Sequence, residues 1–301
     1  METLKKKIDF AVIFSVNRAN PNGDPLNGNR PRIDYDGFGE LSDVCIKRKI
    51  RNRLMEMKND NNEYKYSVFV QSDDNKLDDY PSLRARAEGE LKKDQWKDKK
   101  IFQKAVCEKW IDVRSFGQVF AYGAAKKGEG VSVGIRGPVS IHSAFSVVPV
   151  RDRVSSIQIT KSVSGEGDGT KKATDTMGMK HRVDHGVYVT YGAMNPQLAS
   201  KTLFEDKDAE AIHEALKNLF DNDASSARPE GSMEVVAVFW WQHSVNHGQY
   251  SSAVVHRSLS VAPKEGVTDP KKIENYSIRL TKLEGLTPTI FNPNNVNIER
   301  I

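Results

Sequence analysis

"KIDFAVIFSVNRANPNGDPLNGNRPRID", residues 7–34, sets two kinds of backbone side by side. Lys7 to Val16 is rich in Phe, Val and Ile and reads as a β-strand. Asn17 to Asp34 then holds three prolines, two glycines and four further asparagines. Asn and Asp side chains fold back on their own backbone, Gly accepts positive φ, and Pro fixes φ. A shaped, rigid loop is expected, with exposed amides of the kind that receive phosphates.

Outward from this loop comes "LSDVCIKRKIRNRLMEMK", residues 41–58. Ser42 is a natural N-cap, and Asp43 suits the positive end of the helix dipole. Ile46, Ile50, Leu54 and Met57 recur at i, i+4, i+8 and i+11, one apolar stripe of a helix. Lys47, Arg48, Lys49, Arg51 and Arg53 occupy the rest, and no anion lies between Ile46 and Arg53. An ordinary solvated helix mixes signs. Lys and Arg with no acid among them point to phosphate contact, which carries affinity but not sequence.

Residues 59–110 are polar and charged, and "LKKDQWKDKK" (residues 91–100) reads as an exposed helix. "VSIHSAFSVVPV" (139–150) alternates as a strand does. Residues 160–186 are polar and Gly-rich between strand-like "SSIQI" and "VYVTYG", the pattern of a protruding arm. "AEAIHEALKNLF" places Ile212, Leu216, Leu219 and Phe220 on one helical face. "MEVVAVFWW", "SAVVHRSLSV" and "YSIRL" read as closing strands. The order fits an α+β fold, an antiparallel sheet with helices on one side, as in ferredoxin-like folds.

The totals agree with this. A chain of 301 residues forms one large domain or two ordinary ones. Its 45 Lys and Arg against 40 Asp and Glu leave a net +5, so where the cations stand matters more than their sum. Cys45 and Cys107 form no CxxC and no disulfide framework. The charged head "METLKKK" mimics a signal peptide, but Asp9 breaks the apolar run that follows, so a strand is expected. "VVAVFWW" is far short of the ~20 residues of a membrane helix. A cytoplasmic protein without membrane association is expected.

Enzymatic signatures are missing. Gly128, Gly130, Gly134 and Gly137 have neither dinucleotide-loop nor P-loop spacing. His181/His185 and His243/His247 stand at i, i+4 but in a Gly-rich arm and at a strand end, and no HExxH accompanies them. "DYDG" at Asp34–Gly37 lacks the distal glutamate of a calcium loop. There is no GxSxG. No cofactor, no metal and no catalysis are expected.

Four motifs occur in order: "NPNGDPLNGNRPRID", "SDVCIKRKIRNRL", "DVRSFGQVFA" with "GPVSIHSAFSVVPV", and "TMGMKHRVDHGVYVTYGAMNP". Together, across roughly Ile8 to Leu259, they make the chain resemble the repeated backbone subunit of type I CRISPR interference complexes (Cascade), most like the type I-C branch. The resemblance implies a modified RNA-recognition-motif palm of the RAMP superfamily with an inserted finger and a thumb hairpin. It divides a single domain into palm (1–58, 111–159 and 187–301), finger-like insertion (59–110) and thumb (160–186). Residues 59–110 match no motif of that family.

The resemblance further implies that copies polymerise along one CRISPR RNA (crRNA), grip its backbone and leave its bases to pair with target DNA. Base pairing, not protein, then reads sequence. The implied partners are crRNA, target DNA, further copies of the chain, a crRNA-end capping subunit and a large subunit. The implied RNA-binding residues are Arg18, Asn20 and Asn22 in the loop, and Lys47, Arg48, Lys49 and Arg51 on the helix. Lys47, Arg48 and Arg51 fall within about 100° of one another on a helix, so they can share a face. In the thumb they are Met177 and Met179, as wedges at a displaced nucleotide, with Lys180, His181 and Arg182 on phosphates. Arg114 and Arg136 complete the set, although a buried ion pair explains each equally well.

Two other readings compete. One is a metal-dependent target-RNA endonuclease of a type III-like complex, with Asp168, Asp175 or Asp184 as the acidic residue. The other is a generic single-strand binder, which needs aromatics among basic residues. Phe239, Trp240 and Trp241 sit instead in a strand-like core pattern.

Overall fold

Ile8 to Val16 are buried without a break, so this strand does not alternate between core and water. An uninterrupted apolar strand needs cover on both faces of its sheet. Phe10, Val12, Phe14 and Val16 enter one hydrophobic cluster and Ala11 and Ile13 another. The computed structural model of the chain describes residues 2–122, 131–161 and 176–301.

The elements, in chain order, are β1 (Ile8–Ala19), β2 (Gly23–Asp24), β3 (Arg30–Pro31), β4 (Phe38–Leu41) and α1 (Asp43–Glu56). Then come α2 (Leu83–Glu90), α3 (Lys99–Lys109), α4 (Ile111–Phe116), β5 (Gly117–Tyr122), β6 (Val131–Arg136), β7 (Val139–Ile141) and β8 (Ala144–Pro149). The remainder is β9 (Val154–Lys161), β10 (Thr176–Met194), α5 (Pro196–Thr202), α6 (Asp206–Lys217), β11 (Met233–Gln242), α7 (Ser252–Arg257), β12 (Leu259–Pro263), β13 (Tyr276–Leu280), β14 (Thr289–Phe291) and β15 (Ile298–Arg300). No helix among the described residues is long and apolar enough to cross a membrane.

The main sheet runs β14-β11-β1-β10-β8-β4, with β7 and β9 also paired to β10, all antiparallel. Taken along the chain as β1, α1, β8, β10, α6 and β11, this is the β-α-β-β-α-β ferredoxin-like arrangement. The α+β reading holds. The expectation of helices on one side needs a correction, because the second face is also covered. Helices α1 and α6 pack Ile46, Ile50, Leu54, Ile212 and Leu216 on one face. On the other, α7 and the small β12-β13-β15 sheet contribute Val255, Leu259, Ile278 and Leu280. "SAVVHR" is therefore a helix rather than a strand, with Ser251 accepting from the Val254 amide as N-cap.

A third cluster gathers Phe69, Phe102, Val106, Trp110, Phe120, Val133 and Ile135. It crosses the boundary expected at residue 110, because α4 and the β5–β6 hairpin pack with α2 and α3. Here "LKKDQWKDKK" is a 3-10 turn, Lys93–Trp96, followed by the start of α3, and Trp96 packs against this cluster.

Candidate nucleic-acid interface

The opening loop is rigid for the reasons its composition gave. Asp24 caps a short 3-10 turn by accepting from the Leu26 amide at 3.1 Å. The Asn20 side chain donates to the Asn29 carbonyl at 2.7 Å and ties the ends of the loop together. A Cβ on Gly23 would stand 1.9 Å from the Asn29 Oδ1, so a larger residue there would displace the Asn29 side chain. Asn22 Oδ1 accepts from both the amide and the hydroxyl of Ser42, at 3.0 and 2.9 Å. Asn20 is buried, so it and Asn22 build the loop instead of presenting side chains to a ligand.

The arm is a hairpin whose register runs from Val154 opposite Val183 to Lys161 opposite Thr176. Residues 162–175 of the expected thumb, with Asp168 and Asp175, lie outside the described residues, as does the Met177 side chain. Strand β10 continues from the arm straight into the palm, where it pairs with β1 from Val183 opposite Ala19 to Met194 opposite Ile8. The arm is thus an extension of a central strand.

Strand alternation divides the arm into two faces. On one, His181 is buried and its Nδ1 meets Ser156 Oγ at 2.7 Å. Burial, and then the nearby charge of Arg30, hold this imidazole below its ordinary pKa. On the other face Arg182 donates to Ser155 Oγ at 3.1 Å, and that hydroxyl donates to Asp184 at 2.9 Å. Lys180 is half-buried opposite Ile157 and has no ion-pair partner among the described residues. Met179 is 52 % exposed.

Below the arm, Asn17, Arg18, Arg153, Asp184, His185 and Lys271 line a cleft of about 1030 Å³. Arg18 is exposed and holds φ at +50°, the left-handed region that non-glycine residues rarely adopt. It too has no partner among the described residues, unlike Arg153, which pairs with Asp269 at 2.9 Å and donates to the Pro270 carbonyl at 2.6 Å. Lys271 stands 3.1 Å from Asp269.

Helix α1 departs most from its sequence reading. Lys47 pairs with Asp43 at 2.8 Å and Arg53 with Glu56. Lys49, 3 % exposed, pairs with Asp223, which also holds Arg228 at 3.0 Å. Lys49 and Arg53 therefore face the protein interior rather than solvent. Arg51 donates to Asp112 at 2.9 Å and lies over the Phe116 ring. Arg48 is half-exposed, with Asp74 at 3.8 Å. The anions come from the two ends of the helix, Asp43 and Glu56, and from distant Asp223 and Asp112, so most of its cations serve the fold.

The "DVRSF" motif is structural in the same way. Asp112 accepts from the Phe69 and Val70 amides at 2.7 and 3.0 Å as well as from Arg51, and so joins the third cluster to α1. Arg114 makes a bidentate pair with Asp208 at 2.8 and 2.7 Å, joining α4 to α6. Arg136 is exposed at the end of β6, with no partner among the described residues.

Of the cations that the sequence reading named, Arg18, Lys180 and Arg136 have no ion-pair partner among the described residues, and Arg48 is weakly held. Arg30, which that reading did not name, is also exposed and unpaired among the described residues, beside Pro31 on the short β2–β3 hairpin that packs near β10. Among the described residues no cluster of three His, Cys, Asp or Glu is placed to hold a metal ion.

The family model described as "CRISPR-associated protein Cas7" matches residues 6–281. A CRISPR-associated protein Cas7 of Haloferax volcanii is 25 % identical over 234 residues, covering 72 % of this chain. The match spans 66 % of that relative, just under two thirds of its length. Chains in two solved structures, a "CRISPR RNA-guided surveillance complex, pre-nicking" and a "CRISPR RNA-guided surveillance complex", align over 98 % of this chain. The alignments cover 95 % and 94 % of those chains, at 13 % and 14 % identity and TM-scores of 0.46 and 0.45.

Proposed function

The chain belongs to the CRISPR-associated Cas7 family, and from that premise we propose that it is the backbone subunit of a type I effector, most like the I-C branch. In this reading copies polymerise along a crRNA, grip its phosphates and leave its bases to pair with target DNA. The crRNA-end capping subunit and the large subunit complete the particle, and this chain does no cutting itself. The palm is the main sheet with its helices, the thumb is the β9–β10 arm, and the finger is the third cluster, residues 59–136.

The observation that carries the reading is a group of unpaired cations gathered at the base of the arm, beside a cleft. Most of the cations of α1, with Arg86, Arg114 and Arg153, are neutralised by carboxylates within 3 Å or so, an internal use that leaves little for a ligand. Arg18, Arg30 and Lys180 have no such partner among the described residues, and all three stand on the loop and strands at the base of the arm. Phosphates neutralise such groups and release counterions, which makes affinity fall with salt.

Replacing Arg18, Arg30 and Lys180 together by Ala tests this. Each lost phosphate contact removes about 0.7 from the salt slope on a single strand, so up to about two units in all, with the fold intact. Affinity and slope both equal to wild type would sink the proposed grip.

A further inference from the structure

His185 is 5 % exposed, lines the cleft, and stands opposite Asn17 where β10 meets the end of β1. Its Nδ1 lies 2.7 Å from Asn17 Oδ1. A carbonyl oxygen only accepts, so Nδ1 carries the proton. Burial, and then the charge of Arg153, push the ring's pKa down to about 4, so the imidazole is neutral at physiological pH. Nε2 is then a bare acceptor, and it has no hydrogen-bond partner. An unsatisfied buried acceptor is costly and calls for an explanation.

The chemistry of a nucleic-acid strand supplies one. Phosphate and sugar-ring oxygens all accept. The one donor on the backbone is the ribose 2′-hydroxyl, present in RNA and absent from DNA. Arg18, adjacent to Asn17 and without a partner among the described residues, is the group in this cleft suited to a phosphate. The cleft thus offers both an acceptor and a cation, the two groups that a ribose hydroxyl and its phosphate call for. The atom is shielded in the free protein, so a bound strand must shift side chains at the cleft, a rotamer change common on binding.

We propose that His185 reads the ribose of the strand held in this cleft, its Nε2 accepting a hydrogen bond from a 2′-hydroxyl, and that this sets a preference for RNA over DNA backbone. The proposal rests on the guide-binding reading above and assigns its sugar specificity to one residue. His185 is here a specificity-determining residue, and Asn17 positions it by fixing the tautomer.

The test compares one guide sequence made as RNA, as 2′-deoxy and as 2′-fluoro strands, with binding measured at fixed salt on the full chain. Fluorine keeps an RNA-like sugar but cannot donate. Wild type should bind RNA about tenfold tighter than the 2′-fluoro strand, the worth of one good hydrogen bond. His185→Phe, which keeps a ring against Tyr276, should bring that ratio close to one while the salt slope on RNA stays unchanged. Equal wild-type affinity for the RNA and 2′-fluoro strands overturns the proposal without any variant having to fold. A folded His185→Phe protein that keeps the wild-type ratio also overturns it. A wild-type protein that binds none of the three strands, even with the partner subunits added, overturns the guide-binding reading as well, so the two failures are told apart.

Discussion

At the residue scale, similar charges on one helix do different work. Lys49 is buried against Asp223, and Arg48 is half in water. Removing one partner of a buried pair leaves a charge stranded, whereas exposed pairs contribute little. Asp223→Ala strands the buried Lys49 and also Arg228, and should therefore cost about 3–5 kcal/mol, against under about 0.5 kcal/mol for Arg48→Ala, read by urea denaturation. Asp112→Ala belongs with Asp223. It strands Arg51 and two backbone amides, and a loss of about 3–5 kcal/mol is expected. For the same reason reversing Arg51 to Glu perturbs the fold and does not isolate RNA binding. None of this was legible in the sequence. The run Ile46–Arg53 announces its cations, but its anions stand up to 174 positions away, at Asp223.

Histidine 185 gives a pH dependence with a definite sign. Its folded pKa of about 4 lies below the ordinary 6.5, so the unfolded chain takes up its proton first. Stability from this group is complete above the ordinary value and is lost as pH falls from there to about 4. His181, His213 and His256 are also lowered, chiefly by burial, and share this acid limb. In His185→Phe, denaturation measured between those limits should show a shallower loss. A slope equal to wild type would mean that His185 is protonated in the fold.

At the scale of elements, the arm is an extension of β10 whose pairing with β9 begins at Val154–Val183. Among the described residues of the arm, Val183 lies in the palm core and Val154 packs against it. Replacing residues 157–180 by a two-residue Asn-Gly turn should leave stability within about 1 kcal/mol of wild type. The same deletion should abolish ordered assembly on RNA, read by electron microscopy of the particles. Sequence patterning showed strands on both sides of the arm because β-branched and aromatic runs are local signals. It missed α7, since "SAVVHR" is apolar and short and only the Ser251 cap distinguishes a helix there. It also missed the extent of the finger. Glycine and charge hid a core that closes only when Phe120, Val133 and Ile135 meet Phe69 and Phe102.

At the scale of the whole molecule, β1 is buried on both faces, a cover that the reading of helices on one side did not foresee although "FAVIF" is unbroken. The second cover, α7 with the β12-β13-β15 sheet, was not legible, because a buried strand says that it is covered and not by what. The interface was legible in part. Loop and arm were picked out by composition, while the helix that looked most like a phosphate grip is largely spent on internal pairs. The central claim, that the chain is a subunit that assembles on guide RNA, is tested most directly by mass. Light scattering with the 260/280 nm absorbance ratio is recorded for the protein alone, with a crRNA, and with crRNA plus the partner subunits. The account predicts a discrete multi-subunit particle with bound RNA in the presence of crRNA. A chain that stays monomeric and free of RNA even with those partners would contradict it.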